Sequence, residues 1–186
     1  MRRYIERTRA DLDPQQRRVY DAIVSGPRGA VLAPHHILLE APHLAGPAQE
    51  VGAALRFGAS LPATLTELAI LVTARHWDQG FEWRVHAPLA RAAGVSEESL
   101  NALAADEEAT FASVDEALVY ALCREVLRTG TLSDATFGAA VTRFGRPGLV
   151  ELLSIAGFYS WLALLLNAHG VGGDDPAPSA GLERES

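Results

Sequence analysis

Residues 61–103 read LPATLTELAILVTARHWDQGFEWRVHAPLARAAGVSEESLNAL, and this stretch decides the fold. Its first half places apolar residues at the spacing of one α-helix face. Asp78 is positioned to cap a second helix, Gly94 to end it, and Ser96 to cap a third. The stretch therefore predicts three consecutive helices. The apolar face of the first comprises Leu65, Leu68, Ile70, Leu71 and Val72.

Helix signals of the same kind divide the rest of the chain. Asp13-Pro14 opens one helix, and Gly130 closes another. No segment has the period-two alternation of β-branched residues that predicts a β-strand. We therefore expect an all-α, single-domain helical bundle of seven to nine helices over residues 1–171. Residues 172–186 are rich in Gly, Pro and charge, and this composition predicts a disordered tail.

The composition excludes several classes of function. The net charge is -7 over 186 residues and there is no basic run, which argues against nucleic-acid binding. Every basic residue is Arg, so a Schiff-base lysine mechanism is excluded. Cys123 is the only cysteine, and one cysteine cannot form an intrachain disulfide, a redox pair or a cysteine-rich zinc site.

Two features bear on the compartment. The N-terminal residues MRRYIERTRADLD lack the apolar core of a signal peptide, which favours a cytoplasmic protein. Residues 149–170 are nearly long and apolar enough to span a membrane. They are interrupted by Glu151, Ser154, Ser160 and Asn167, and no flanking basic cluster follows them. We therefore expect a buried central or interface helix.

Glu82 and His86 are the first candidates for chemistry. Four residues apart on a helix, they are neighbours on one face. A carboxylate beside an imidazole raises the pKa of the imidazole and orients its ring, and the two groups can then transfer protons near neutral pH. The alternative is an exposed pair that adds little to helix stability, and the spacing alone favours this alternative.

Two neighbouring features bear on that choice. Glu67 lies within an apolar helical run. If it is buried, it needs a donor such as Arg84, His86 or Trp83; otherwise it faces solvent near the first turn, where the helix dipole favours it. Pro88 follows His86 and removes one intrahelical hydrogen bond, as occurs both at functional sites and at plain helix irregularities.

Other candidate residues have weaker support. His35, His36 and His43 fall within nine residues, but not at the spacing of a helical metal-binding motif. We therefore expect structural or pocket-lining roles for them. Tyr159 is typical of a core aromatic, and Cys123 of a small buried apolar residue.

The quoted stretch resembles the carboxymuconolactone decarboxylase family, which includes the alkylhydroperoxidase D-like proteins. The shared pattern is L-P, then an E-L-A-I-L helix, an E-W-x-x-H-A turn, A-x-x-A-G and a Ser-capped helix. The flanking segments LLEAPHLAGPAQEVGAALRFGASLP and GLVELLSIAGFYSWLALLLNAHGV extend the resemblance to residues 14–171.

The resemblance implies an all-α fold of the alkylhydroperoxidase D-like type, assembled as trimers or hexamers with sites near subunit interfaces. In peroxidase-type members, a C-x-x-C pair works with a Glu and a His, which by spacing correspond to Glu67 and His86. The two cysteine positions fall on Gln79 and Glu82, so thiol-based peroxide reduction has no thiolate. What remains resembles the decarboxylase-type members, which use no metal or organic cofactor and protonate a carbanion or dienolate as CO₂ leaves a lactone acid.

On this resemblance, His86 is the general acid/base, Glu82 orients and tunes it, and Glu67 completes the buried polar cluster. Arg84 is a candidate to bind a substrate carboxylate. The expected partner is a small carboxylated lactone or keto acid, with no cofactor, metal, nucleic acid or membrane, in a homo-oligomer. The remaining pocket residues would be Trp77, Trp83, Tyr159 and His36.

Two alternatives stay open. One is a non-catalytic ligand-binding or structural oligomer in which Glu82 and His86 hold a subunit interface. The other is a different proton-transfer reaction, an isomerisation or hydration, on the same scaffold. A concave, mostly apolar pocket around the two residues would favour an enzyme, whereas a flat exposed face would not.

Overall fold

The structure is a computed structural model, and it describes residues 3–172. The described residues contain no β-strand, so the prediction of an all-α fold with seven to nine helices is confirmed. The predicted tail, residues 172–186, lies outside the described residues except for Gly172. A short 3₁₀ helix, Arg9–Asp11, precedes eight α-helices: α1 Pro14–Ser25, α2 Ala33–Leu38, α3 Pro42–Phe57, α4 Ala63–His76, α5 Gly80–Ala93, α6 Glu97–Ala104, α7 Val114–Thr129 and α8 Asp134–Ala168.

Local capping residues set most of the helix ends that the sequence predicts. The Asp13 carboxylate accepts hydrogen bonds from the first backbone N–H groups of α1, and the Ser96 hydroxyl caps α6. Gly94 and Gly130 end α5 and α7 with φ values of 106° and 74°, in the left-handed region that glycine adopts without steric cost.

The start of α5 differs from the prediction. Its N-cap is Gln79, whose side-chain oxygen accepts a hydrogen bond from the backbone N–H of Phe81 at 2.8 Å. Asp78 instead has a φ of 49°, and its carboxylate accepts a hydrogen bond from Arg75 at 2.9 Å. The prediction that Asp78 caps α5 is therefore wrong, because the turn after α4 directs the Asp78 carboxylate back to the end of α4.

Helix α4 forms the centre of the bundle. Every residue from Leu65 to Ala74 is buried, because α4 packs against α5, α7 and α8. The sequence indicated one apolar face, whereas the helix is enclosed on all sides. A carboxylate in this helix, that of Glu67, is consequently placed inside the core.

Helix α8 is interrupted at Gly145, where the backbone has a φ of 70°. It is the one helix among the described residues that is long and apolar enough to cross a membrane. Within its apolar 18-residue stretch, 44% is buried in the bundle. Its polar residues make contacts inside the protein. The Ser160 hydroxyl accepts a hydrogen bond from the Trp77 indole at 2.8 Å, and the Asn167 side chain accepts one from Gln79 at 2.7 Å.

Replacing Gly52 with Ala is expected to lower the free energy of unfolding by about 1–3 kcal/mol, the range for overpacking a tight site. A Cβ at this position of α3 would meet the Nη2 atom of Arg28 and lie 2.9 Å from the Phe158 ring. Urea denaturation measures the effect. The matched control is Gly138→Ala in α8, where a Cβ meets nothing within 4 Å and stability should stay equal or rise. Equal losses in both variants would contradict the close approach at Gly52.

Candidate active site

The site is built around His86, which α5 presents to the central helix. Its Nδ1 atom lies 2.6 Å from Oε2 of Glu67 on α4, and the His86 side chain is 3% exposed. An ionised carboxylate can only accept, so this contact places a proton on Nδ1 of His86. Glu67 therefore fixes the ring orientation from inside the core, and the buried Glu67 carboxylate has the donor that it needs.

Glu82 lies on the opposite side of the same imidazole. Its Oε2 atom is 3.4 Å from Nε2 of His86, and its side chain is 4% exposed. The exposed pair that the spacing favoured is thus absent, because the face of α5 that carries both residues packs inward. The other carboxylate oxygen, Oε1 of Glu82, is buried and has no hydrogen-bond partner among residues 3–172. Such an atom is available to a bound molecule or to a water.

The two carboxylates set the protonation state of His86. Burial on its own lowers the pKa of the imidazole, but the hydrogen bonds and negative charges of Glu67 and Glu82 outweigh it and raise the pKa of His86 above its ordinary value of 6.5. A raised pKa keeps more of the imidazolium form near neutral pH. His86 is consequently suited to donate a proton there.

Two arginines bring positive charge to the same place. Arg56, in the last turn of α3, has Nη2 4.0 Å from Oε1 of Glu67. Arg28, in the segment between α1 and α2, reaches across the backbone of Gly52, one helical turn before Arg56. The Nε atoms of both arginines are buried without a hydrogen-bond partner in the described part of the chain. Burial and the positive charge of Arg56 lower the pKa of Arg28.

His86, Glu82 and the two arginines line a small cavity of about 20 Å³, which is the size of a single water molecule. Side chains of α2, α5 and α8 form most of its lining. A substrate larger than water therefore requires some of these side chains to move. Its lining comprises Arg28, Leu32, Pro34, His35, Arg56, Phe81, Glu82, Val85, His86, Tyr159 and Leu162.

Tyr159 and His35 complete the polar lining as neutral groups. The Tyr159 ring stands edge-on to His86 with 5.2 Å between ring centroids, and burial together with the charge of Glu82 raises the pKa of its phenol. Burial and the positive charges of Arg28, His36 and Arg56 lower the pKa of His35 to about 4. Since Nδ1 of His35 accepts the backbone N–H of Leu32 at 3.0 Å, the proton of the neutral ring is on Nε2. Both side chains can therefore donate hydrogen bonds.

Gln79, at one of the two positions where the resemblance places a cysteine of the peroxidase-type members, is fully buried at the start of α5. Its side-chain amide donates hydrogen bonds to Asn167 at 2.7 Å and to the carbonyl of Val171 at 3.0 Å. Its oxygen accepts from the N–H of Phe81. The Gln79 side chain thus joins the motif helix to the end of α8 beside the cavity.

The structure brings together only some of the residues that the sequence singled out. Glu67, Glu82, His86 and Tyr159 meet at the site. Arg84 is exposed and does not line the cavity, because a residue two positions from both 82 and 86 points to the opposite side of α5.

The remaining predicted pocket residues also lie elsewhere. Trp83 is buried in the main hydrophobic core, and Trp77 is half-buried at the end of α4, bonded to Ser160. His36 packs edge-on against Tyr4, whereas its neighbour His35 lines the cavity.

Arg28 and Arg56 are the site residues that the sequence analysis missed. An arginine in the last turn of a helix is the ordinary partner of the helix dipole, so Arg56 carried no distinctive pattern. Arg28 reaches the site only through the packing of its segment on α3. The one usable indication was Gly52, a glycine within a helix, which often marks a close approach.

Neither a metal cluster nor a reactive thiol is found in the described part of the chain. No group of three or more His, Cys, Asp or Glu residues within it has the arrangement of a metal site. The Cys123 thiol is fully buried in α7, and burial raises its pKa to about 12, so it is held as the unreactive thiol.

Comparison with protein families identifies the central part of the chain. The model of the carboxymuconolactone decarboxylase family matches residues 42–123, from the start of α3 into α7. This span contains Arg56, Glu67, Glu82 and His86. No curated protein and no solved structure matches the chain significantly. The resemblance to this family stated from the sequence is therefore confirmed over residues 42–123, which match its family model.

Proposed function

We propose that this chain is a cofactor-free, decarboxylase-like enzyme that acts on a small carboxylated lactone or keto acid. The family match over residues 42–123 supports a decarboxylase-like or alkylhydroperoxidase D-like function at the level of the family. The choice between them rests on one observation. The cysteine positions hold Gln79 and Glu82, and the buried His86 lies between two carboxylates in a cavity that two arginines also line.

His86 is the proton donor of the proposed reaction. As the bond to the carboxylate carbon breaks, CO₂ leaves and its electron pair passes into the conjugated system of the substrate as a carbanion or dienolate. The proton on Nε2 of the His86 imidazolium then goes to carbon, and solvent restores it. Glu67 holds Nδ1 and stabilises the imidazolium, while Glu82 lies beside Nε2 and can pass the proton.

Arg28 and Arg56 take the anion-binding role in this proposal. With His86 protonated, these three cations face the carboxylates of Glu67 and Glu82, which leaves an excess of one positive charge. A substrate monocarboxylate would balance it. The unpartnered Nε atoms of both arginines are donors for that anion, and the neutral Tyr159 hydroxyl can donate to the developing dienolate oxygen.

The proposal is tested by turnover of a panel of carboxylated lactones and β-keto acids, followed by CO₂ release and ultraviolet absorbance. Decarboxylation of one class by the full chain, with no metal or cofactor added, supports it. A chain that reduces peroxide, or that converts lactones without releasing CO₂, would contradict the decarboxylase assignment. The second result would favour an isomerase or hydratase on the same groups.

Replacing Arg28 with Gln is expected to raise KM for the best substrate by about tenfold or more, the equivalent of one lost charge-assisted contact, with a smaller effect on kcat. The measurement is steady-state kinetics on the folded variant. Arg84→Gln is the matched control, because Arg84 is an exposed arginine of α5 that does not line the cavity. A larger KM change in the control would return the carboxylate-binding role to Arg84.

A second candidate, a non-catalytic oligomer, is favoured by two observations. The cavity is only about 20 Å³, and α3 and α8 expose large apolar side chains, with Val150 61%, Leu164 51% and Phe57 50% exposed. Such a surface is typical of protein–protein contacts, and we propose assembly as a trimer or hexamer through it. Sedimentation measures the assembly. A catalytically silent oligomer, inactive on the whole panel, would select this candidate.

A further inference from the structure

A second cavity lies outside the candidate active site. It has a volume of about 360 Å³, within the range of small-molecule pockets, and lies between the end of α4, α6 and α7. None of its lining residues lines the His86 cavity. The lining comprises Val72, Arg75, His76, Asp78, Leu103, Asp106, Arg124, Leu127 and Arg128.

Positive charge exceeds negative charge in this lining. The lining contains three guanidinium groups, those of Arg75, Arg124 and Arg128, and two carboxylates, those of Asp78 and Asp106. The excess is one positive charge when His76 is not counted. Arg124 and Arg128 are one helical turn apart on α7, so their like charges repel on one face. An anion between them removes that repulsion.

Arg75 lines the cavity and is held in position by two carboxylates. Its Nη1 atom donates to Asp78 at 2.9 Å, and its Nη2 atom lies 3.9 Å from Asp106. Its Nε atom is buried and has no hydrogen-bond partner among the residues that the structure describes. Arg75 is therefore oriented by its two outer nitrogens while a third donor remains for a ligand or a water.

The backbone of this cavity is unusual as well. Asp78 and Asp106 have φ values of 49° and 58°, and among the described residues they are the two non-glycine residues with positive φ. Each such residue carries a conformational cost that persists only where the surroundings hold it. Both of these residues line the one cavity, and both contact the same guanidinium, that of Arg75. The cavity is thus preorganised around a fixed cation.

The least exposed part of the lining, which we call the floor of the cavity, is apolar. Val72 of α4 and Leu103 of α6 are buried and Leu127 of α7 is half-buried, whereas most of the charged lining residues are exposed. An inorganic anion would leave this surface unused, whereas an organic anion would cover it. From the charge, the oriented Arg75 and this floor, we propose that the cavity binds a small organic anion, with a carboxylate or phosphate head between the arginines and an apolar body on the floor. This site is independent of the proposed decarboxylase reaction.

The test uses the full chain with phenyl phosphate and benzoate as organic probes, and inorganic phosphate as the head group alone. Calorimetry gives the Kd, and NMR of the arginine Nε–H groups locates the binding. We expect at least one organic probe to bind more tightly than inorganic phosphate and to shift the Nε–H resonance of Arg75. The tighter of the two organic probes identifies the head group.

Arg128→Gln is expected to weaken the Kd of that probe by about tenfold, the equivalent of about 1.4 kcal/mol. Arg143→Gln, an exposed arginine of α8 paired with Asp115, is the matched control and should leave the Kd unchanged. Arg28→Gln changes the lining of the His86 cavity only, and it should also leave the Kd unchanged. Binding that Arg28→Gln abolishes and Arg128→Gln preserves, or no binding of any probe to the wild-type chain, would overturn the proposal.

Discussion

His86→Asn is expected to lower kcat for the substrate found in the panel by about 10²-fold or more, the scale on which general acid–base catalysis is lost. Asparagine can keep a hydrogen bond to Glu67 but cannot carry a titratable proton at the position of Nε2. Stopped or continuous assays of CO₂ release measure the loss. Circular dichroism and sedimentation establish that the variant folds and assembles like the wild type.

The pH dependence gives this prediction a second readout. Because the pKa of His86 is raised above 6.5, wild-type kcat/KM should fall on the basic side only as pH rises through that raised value. The His86→Asn variant should lose both the activity and this decrease of kcat/KM at basic pH. His43→Asn, at an exposed histidine of α3, is the control and should keep both. Unchanged activity in His86→Asn would remove this imidazole from the mechanism.

Glu67→Ala is expected to lower the free energy of unfolding by about 3–5 kcal/mol, the cost of removing one partner from a buried ion pair. The substitution leaves Nδ1 of His86 without its 2.6 Å acceptor and takes away the carboxylate beside Arg56. Urea denaturation of both proteins measures the difference. Glu98→Ala, at an exposed carboxylate of α6, is the control and should change stability by less than about 0.5 kcal/mol.

This loss should depend on pH with a definite sign. A folded-state pKa above the unfolded value means that His86 stabilises the fold fully below pH 6.5 and that this contribution disappears as pH rises through the raised pKa. The stability difference between wild type and Glu67→Ala should therefore shrink as pH rises through that window. A difference that grows with pH would mean that the histidine is neutral in the folded wild type.

The fold was largely predictable because its signals are local. The cap at Asp13 and the glycine ends at Gly94 and Gly130 act within a few residues, and each lies at the position that the sequence predicts. The position of Asp78 was not predictable in the same way. Its carboxylate could cap α5 or bond back to Arg75, and the turn geometry decides between these local alternatives.

The site was predictable only in its short-range part. The four-residue spacing of Glu82 and His86 puts them on one helix face, but burial of that face depends on the packing of α5 against other helices. Arg28 reaches the cavity because it packs against α3, more than twenty residues further along the chain. The absence of a side chain at Gly52 makes room for this contact. The periodicity of a sequence does not predict such a contact.

The buried amide of Gln79 has a consequence for how the protein responds to oxidants. A thiol at this position could switch between a free and a disulfide form, and each form would hold the start of α5 differently. An amide has one covalent form across the redox range of a cell, and here it joins α5 to Asn167 and Val171. The start of α5 is therefore held by hydrogen bonds that oxidants do not break. Oxidative stress would accordingly leave the position of α5, and of His86 on it, unchanged at this point.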